Sequence, residues 1–374
     1  MIDSISLENF KCFGHLYMPL KPLTLIAGIN GAGKSSIIQA LLLLRQSFKD
    51  KDTDWSEHVL INGSLVELDK AEDLLFADAQ GDNPEVRIEI ESNNEVWTFS
   101  ITPETIDDRA SVSVHGNLHE AKQKLSLLQD DFVYLYADRL QPRAKYQARA
   151  KALQDSRLGD KSADNAVFRF AKAINSNEQI SISSLRHPDA KDDSVFRNTT
   201  AWINYIMGCN MDVKAEETEK DKEAKYIYSI SNKDGEQKTL SPLNVPFGSN
   251  YLLPIVLAVL TAPSGSMILI ENPESHLHPK AQGRVGELLA RCAQSGVQII
   301  VETHSDHLMN GIRYACHEGW ISNDKLEMDL IGIDNDGLTH IRRHIDINNE
   351  GYVENWIPGF FDEWEDALKR LLPE

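Results

Sequence analysis

The chain has 374 residues, 41% of them hydrophobic and 25% charged, which is ordinary globular composition with enough apolar material for a sizeable core. A formal net charge of −19 and a pI near 5.1 exclude general binding of nucleic acid over the whole surface and leave only a local basic patch for such a role. Cys12, Cys209, Cys292 and Cys316 are far apart and form no C-x-x-C pair, which argues against a zinc site and a disulfide scaffold and suits a reducing cytosol.

The opening MIDSISLENFKCF carries acidic residues and no long apolar stretch, so it does not read as a signal peptide, and a cytoplasmic protein is expected. Residues 1–27 read as strands, ending in the apolar, β-prone run Leu23–Ala27. A helix follows from Lys34 to about Phe48. It is apolar nearly all round and so should be buried. Residues 83–103 read as a hairpin, with Val86, Ile88 and Ile90 alternating with polar residues and a turn at Asn93-Asn94. A helix is expected over 118–130, a strand over Phe132–Tyr136, and helices over 160–210 broken by a loop at Arg186–Asp193. The charge run Lys214–Lys225 reads as a solvated helix or loop.

From Thr239 to Ile270 no residue is charged, but Pro254 and the segment Pro263–Ser266 interrupt the stretch. The run Tyr251–Thr261 is too short for a bilayer, so a buried helix, a turn and a buried strand are expected there, with no membrane span. Strands are expected at Leu330–Ile333 and Leu338–Ile341 around a turn at Asp334–Gly337, and a short helix over 361–372.

The strongest motif is Gly28-Ile29-Asn30-Gly31-Ala32-Gly33-Lys34-Ser35, which fits G-x-x-x-x-G-K-[ST] at every position, between an apolar strand and a helix. Small residues let backbone N–H groups turn inward around a phosphate, and the helix N-terminus adds partial positive charge. Lys34 can reach the β- and γ-phosphates of ATP, and the Ser35 hydroxyl can bind Mg²⁺, with Ser36 just behind it. Such a loop needs an acid at the end of another buried strand, and Met267-Ile268-Leu269-Ile270-Glu271 supplies one. Asn272-Pro273-Glu274-Ser275-His276-Leu277-His278-Pro279 follows. A helix then leads to a second strand, Val297–Val301, which ends in Glu302-Thr303-His304-Ser305.

In this order of motifs the chain resembles the ABC-type ATPases of the SMC, RecF and OLD group, and within it the short bacterial AAA-family ATPases whose Walker B region reads E-N-P-E-x-H-L-H-P. LENFKCF is similar to that group's first strand, Thr303–Ser305 to its switch-histidine motif, and Trp356–Asp362 to a C-terminal element. The resemblance is weak over roughly residues 50–230. It implies an α/β P-loop NTPase of ABC type, with a mixed central sheet, an antiparallel β lobe and a helical insertion, built as a single domain over 1–374. Within it, 1–50 and 232–345 would form the nucleotide-binding core, 51–231 a variable lobe and 346–374 a C-terminal element. The implied ligands are ATP, held by Gly28, Asn30, Gly31, Ala32, Gly33, Lys34, Ser35 and Ser36, and Mg²⁺, held by Ser35 and Glu271.

By the same resemblance His304 would sense the γ-phosphate, Ser275–His278 would face a second subunit, and Gly248 and Ser249 would donate to the ATP of a partner in trans. Asn250-Tyr251 replace the usual end of that signature. Asn272 stands where the catalytic glutamate usually stands, and an amide cannot take a proton from water. Either Glu274 or Glu302 then serves as base, or hydrolysis is slow and ATP acts as a switch. Arg139 or Gln141 could reach the nucleotide, with a structural ion pair and turn as the equal alternative, and Lys11 is taken as an exposed lysine. His276, His278, His304 and His307 have no acidic or cysteine partners to make a metal site. No glutamate followed by a D-x-D strand end comes after His304, so a built-in Toprim nuclease is not expected. Two functions from different classes follow. One is an ATP-dependent homodimer or higher oligomer that regulates a separately encoded nuclease or toxin in anti-phage defence. The other is a RecF- or SMC-like ATPase that clamps DNA for repair.

Overall fold

Leu23–Ala27 becomes strand β3 (Leu23–Gly28), near the middle of a six-stranded sheet. The structure, a computed structural model, describes residues 1–147, 158, 163, 165–218, 223–231, 236–334, 337, 339–357 and 368–372. The sheet order is β16 (His340–His344), β15 (Leu326–Ile333), β3, β14 (Gln298–Glu302), β13 (Met267–Glu271) and β8 (Val133–Leu135). All neighbours are parallel except β16 against β15. Continuous apolar runs such as Met267–Ile270 and Ile299–Val301 are what a parallel sheet covered on both faces requires. Their alternate side chains divide between two cores. Ile26, Leu269 and Ile300 face one side, and Leu25, Ile268, Ile270, Ile299 and Val301 the other.

Helix α1 (Lys34–Lys49) fills the first side, with Ile37, Ile38 and Leu41 to Leu44 buried as its all-round apolar pattern predicts. A second six-stranded sheet covers it, in the order β2 (Phe13–Pro19), β1 (Ser4–Phe10), β5 (Val86–Ser92), β6 (Glu95–Ile101), β7 (Arg109–His115) and β4 (His58–Leu60), antiparallel throughout. The first two strands of the chain thus lie in the antiparallel sheet beside β5, while β8, from the middle of the chain, closes one edge of the central sheet. The expected hairpin is β5–β6, and its two loop residues, Asn93 and Asn94, sit at φ 53° and 61°, where asparagine is favoured.

The helix expected over 118–130 stops early, as α2 (Leu118–Lys124) followed by a tighter turn at Ser126–Leu128. That turn buries Leu125, Leu127 and Leu128 together, and Arg45 takes the carbonyls of Leu127 and Gln129.

The other side of the central sheet carries α3 (Ala166–Asn175), α4 (Val195–Met207), α5 (Phe247–Leu260), α6 (Pro279–Gln294) and α7 (Asp306–His317). The Arg186–Asp193 loop holds as expected. The charge run does not. It is a hairpin of β10 (Asp212–Thr218) and β11 (Glu223–Ser231), joined by β12 (Gln237–Leu240) and β9 (Tyr146–Gln147), with 219–222 outside the described residues. Val213 and Ala215 point into the core between exposed Lys214 and Glu216, so the charges occupy only the solvent face of a strand. Leu338 and most of the expected 361–372 helix also lie outside the described residues. Among the described residues no helix is long and apolar enough to cross a membrane.

Helices α6 and α7 cross with their backbones nearly touching. A Cβ on Gly311 would lie 1.9 Å from the Gly283 carbonyl oxygen, and one on Gly286 would lie 2.4 Å from that of Leu308. This crossing ties together the loops after β13 and β14, because α6 and α7 start where those loops end. Gly311→Ala is expected to cost about 3 kcal/mol, since the added methyl meets backbone with no room to yield. Thermal unfolding checks it, and an unchanged midpoint would show that the crossing is looser than described.

Candidate functional site

The P-loop joins β3 to α1, and its glycines are required by geometry. Gly28 has φ 147°, and a Cβ there would lie 2.1 Å from the Ile331 carbonyl oxygen on β15. Gly33, at φ 102°, lies so close to the first hairpin that a Cβ would come within 2.5 Å of Cys12 Sγ. Asn30 and Gly31 are exposed at the loop's tip, whereas Ala32 is buried and its carbonyl oxygen lies 2.8 Å from His340 Nδ1.

Lys34 is only 4% exposed, and its Nζ donates to the Gly28 and Ile29 carbonyls at 2.9 Å each. Burial lowers the pKa of its ammonium, against the pull of Glu302 and Glu274. Ser35 Oγ donates to Glu302 Oε1 at 2.9 Å. Ser36 faces the other way, 3.9 Å from Cys12 Sγ.

Three acids converge on this loop from two strand ends. Glu271 and Glu302 end β13 and β14 in matching register, and Glu302 is in turn level with Ile26 on β3. Glu271 accepts a 2.7 Å hydrogen bond from the Tyr134 hydroxyl on β8, and its charge, together with burial, raises the pKa of that phenol. Glu274 Oε1 accepts from the His304 backbone N–H at 2.8 Å, which locks the loop after β13 to the loop after β14. Glu302 Oε2 and Glu274 Oε2 are buried and find no partner among the described residues. Burial also raises the pKa of Glu302, opposed by the Ser35 hydrogen bond and Lys34. His304 lies beside the Gly28 backbone. Burial, then the Lys34 ammonium, push its pKa below the ordinary imidazole value, against the pull of Glu274.

Comparison with known proteins places this geometry. Residues 23–310, which carry the P-loop, all three acids and His304, match the family described as "AAA domain, putative AbiEii toxin, Type IV TA system". The chain belongs to that AAA-domain family. Residues 333–371 match a second family, described as a protein of unknown function, DUF3696.

The chain is 34% identical over 106 residues to a DNA double-strand break repair Rad50 ATPase of Halobacterium salinarum, covering 28% of this chain and 12% of that protein. It is 43% identical over 44 residues to an OLD nuclease of Thermus scotoductus, covering 12% of this chain and 8% of that one. The chain thus spans only a small part of the length of either relative. Two solved structures share its fold at 14% identity and TM-score 0.53. One is an Smc head bound to the C-terminal winged-helix domain of ScpA, covering 92% of this chain and 97% of that one. The other is an Smc head with an extended coiled coil bound to the C-terminal domain of ScpA derived from Pyrococcus furiosus, covering 99% and 98%. The fold is the α/β, ABC-type P-loop fold expected from the sequence.

Within this AAA-domain fold the expected site residues have these partners. Ser35 pairs with Glu302, whereas Glu271 pairs with Tyr134. Asn272, at φ 43°, turns the chain sharply after β13, a conformation asparagine tolerates, and its side-chain oxygen is buried without a partner among the described residues.

Gly248 and Ser249 lie in the first turn of α5, at the helix N-terminus. Ser249 is fully buried, its hydroxyl has no partner among the described residues, and its N–H is taken by the Pro246 carbonyl. A Cβ on Gly248 would lie 2.7 Å from the His276 carbonyl oxygen. Leu243 and Phe247, 60% and 38% exposed, are what this end of α5 presents.

Arg139 takes the structural alternative. It is fully buried and donates to the carbonyls of Tyr136, Glu271 and Asn272 at 2.7–2.8 Å, clamping the end of β13, and burial lowers its pKa to about 10. Gln141 bonds Asp138 and Tyr251, and Lys11 is half-buried and bonds Gln39 on α1. His276 packs against Phe247 and Tyr251, His278 caps α6, and His307 lies beside Asp306, so the four histidines form no metal cluster among the described residues.

A cluster unforeseen in the sequence is Glu327, Asp329 and His344 on β15 and β16. The guanidinium of Arg342 stands 2.6 Å and 2.8 Å from its two carboxylates, and Lys21 Nζ is 3.5 Å from Glu327, so the two acids already face two cations.

The P-loop residues fit a magnesium-bound nucleoside triphosphate. Lys34 and the start of α1 supply the positive side. Ser35 and two buried carboxylates supply the cation side, where Glu302 Oε2 has no partner among the described residues.

Proposed function

We propose that the chain binds and hydrolyses MgATP at Gly28–Ser35 and works as an ATP-held homodimer that regulates a separately encoded protein effector, a nuclease or toxin, in prokaryotic anti-phage defence. The observation that carries the ATP reading is the convergence of Lys34, Ser35, Glu274, Glu302 and His304 on one loop. On this reading Lys34 exchanges the neutral Gly28 and Ile29 carbonyl acceptors for anionic phosphate oxygens. Gly28, Asn30, Gly31, Ala32, Gly33 and Ser36 line the cradle around the phosphates. Magnesium, when bound, neutralises phosphate charge, and Ser35 with Glu271 are the residues assigned to it from the sequence. Glu274, with a free buried oxygen, takes the proton of the attacking water in place of Asn272. His304 senses the γ-phosphate and passes its state to the loop before α6 through the Glu274 bond.

The effector reading draws on the acidic net charge, on the toxin–antitoxin description of the family, and on the Smc heads, which were solved with a protein partner. The Rad50 relative favours a second reading, an ATP-dependent DNA clamp. Light-scattering mass with and without a non-hydrolysable ATP analogue, and DNA retardation at low salt, separate them. The effector reading expects the mass to double with the analogue and no DNA retardation. A monomer under MgATP conditions would overturn the dimer, and salt-dependent DNA binding would favour the clamp.

A further inference from the structure

We propose that Arg139 and Tyr251 are positioning residues for hydrolysis: they fix the short loop that carries Glu274 and tie the placing of its carboxylate to helix α5. The proposal rests on the reading of Glu274 as the base and adds what holds that base in place.

Glu274 sits midway between two residues of uncommon backbone. Asn272 and His276 have φ 43° and 62°, the left-handed region where a residue other than glycine stays when its surroundings hold it. Each of the two has its own hold. The Asn272 carbonyl accepts from Arg139 Nη2 at 2.7 Å and from the Ser275 N–H at 3.1 Å, while Arg139 Nη1 takes the Glu271 and Tyr136 carbonyls. A guanidinium donates through a rigid fork, so these bonds fix direction as well as distance. The His276 ring packs against the rings of Phe247 and Tyr251, with centroids 4.6 Å and 4.7 Å away, and both of those rings belong to the start of α5.

Tyr251 joins the two holds. Its hydroxyl donates to Asp138 Oδ1 at 3.0 Å, and the guanidinium of Arg139, the next residue along, lies 5.5 Å from its ring centre. Burial lowers the pKa of Arg139, and of the groups that oppose this Glu274 acts most strongly, ahead of Tyr251 and Glu271. The buried cation therefore lies within electrostatic reach of the carboxylate whose loop it clamps. A displacement of α5 is passed through Tyr251 to both ends of that loop, and a misplacement of about 1 Å at a reacting group costs on the order of a hundredfold in rate.

The test compares wild type, Tyr251→Phe, Arg139→Lys, Glu274→Gln and the double variant Tyr251→Phe with Glu274→Gln. Hydrolysis is followed in single turnovers, so that slow variants can be read, and ATP affinity by titration. Tyr251→Phe keeps the ring and loses only the hydroxyl, and thermal unfolding confirms that each variant is folded. Tyr251→Phe is expected to slow hydrolysis about fivefold, the scale of one lost hydrogen bond, with ATP affinity unchanged. Arg139→Lys keeps the charge without the fork and is expected to slow it about tenfold or more. In the Glu274→Gln background Tyr251→Phe should have no further effect, because no base is left to place. Hydrolysis at the wild-type rate in Tyr251→Phe overturns the proposal, and so does a drop that persists undiminished in the double variant. Failure of the base reading looks different: Glu274→Gln alone would then hydrolyse ATP at the wild-type rate, and the positioning role would fall with it.

Discussion

Lys34→Ala is expected to weaken ATP binding by about 100-fold or more, roughly 3 kcal/mol, the scale of losing a partly buried charge that faces another charge. Among the described residues the ammonium donates to two P-loop carbonyls, Gly28 and Ile29, at 2.9 Å. Ile29 is 58% exposed and Gly28 half-buried, so water can replace the lysine at both oxygens. Burial already works against the charged form. Removing the lysine therefore takes away binding without taking away the fold, and the unfolding midpoint should stay near that of the wild type. Lys34→Arg should not restore affinity, because a planar guanidinium cannot fit a point-charge position enclosed by the loop. Equilibrium titration with ATP reads both variants. Unchanged affinity in Lys34→Ala would remove the ATP site from Gly28–Ser35.

The P-loop was legible in the sequence because everything it needs is local: small residues at fixed spacing, an apolar strand before, a helix after. The same holds for Met267–Glu271 and for the Asn93-Asn94 hairpin. What could not be read depends on strand order. Ser35 meets Glu302 because β14 lies between β3 and β13, and no spacing along the chain encodes that. Both Met267–Glu271 and Gln298–Glu302 end an apolar run in an acid, so the sequence offered two candidates and no means to rank them by distance. Arg139 likewise looked equally suited to nucleotide or scaffold until its three carbonyl partners, two of them more than a hundred residues along the chain, were known. The direction of the Ser249 side chain was not legible either: α5 begins a residue before Gly248, and the hydroxyl lies in the core. Around 214–225 charge density concealed a strand alternation whose inner face is carried by Val213 and Ala215 on β10 and Ala224 on β11.

Glu274→Gln is expected to lower ATP turnover by about a hundredfold or more, the size of a lost general base, while ATP affinity stays close to that of the wild type. The split between turnover and binding is what distinguishes the two possible jobs of this side chain. As a scaffold, Glu274 accepts the His304 N–H through Oε1, and a glutamine carbonyl accepts that bond equally well. As a base, it needs an oxygen able to take a proton, and Oε2 is the buried oxygen with no partner among the described residues, next to Lys34 and Glu302 in the electrostatics of the loop. An amide at that place orients water and stops there. The substitution thus removes only the second job. Phosphate release at saturating ATP measures turnover, and titration measures affinity. Turnover at the wild-type rate would transfer the base role away from Glu274, and because Asn272 has no basic group, Glu302 would then be the base.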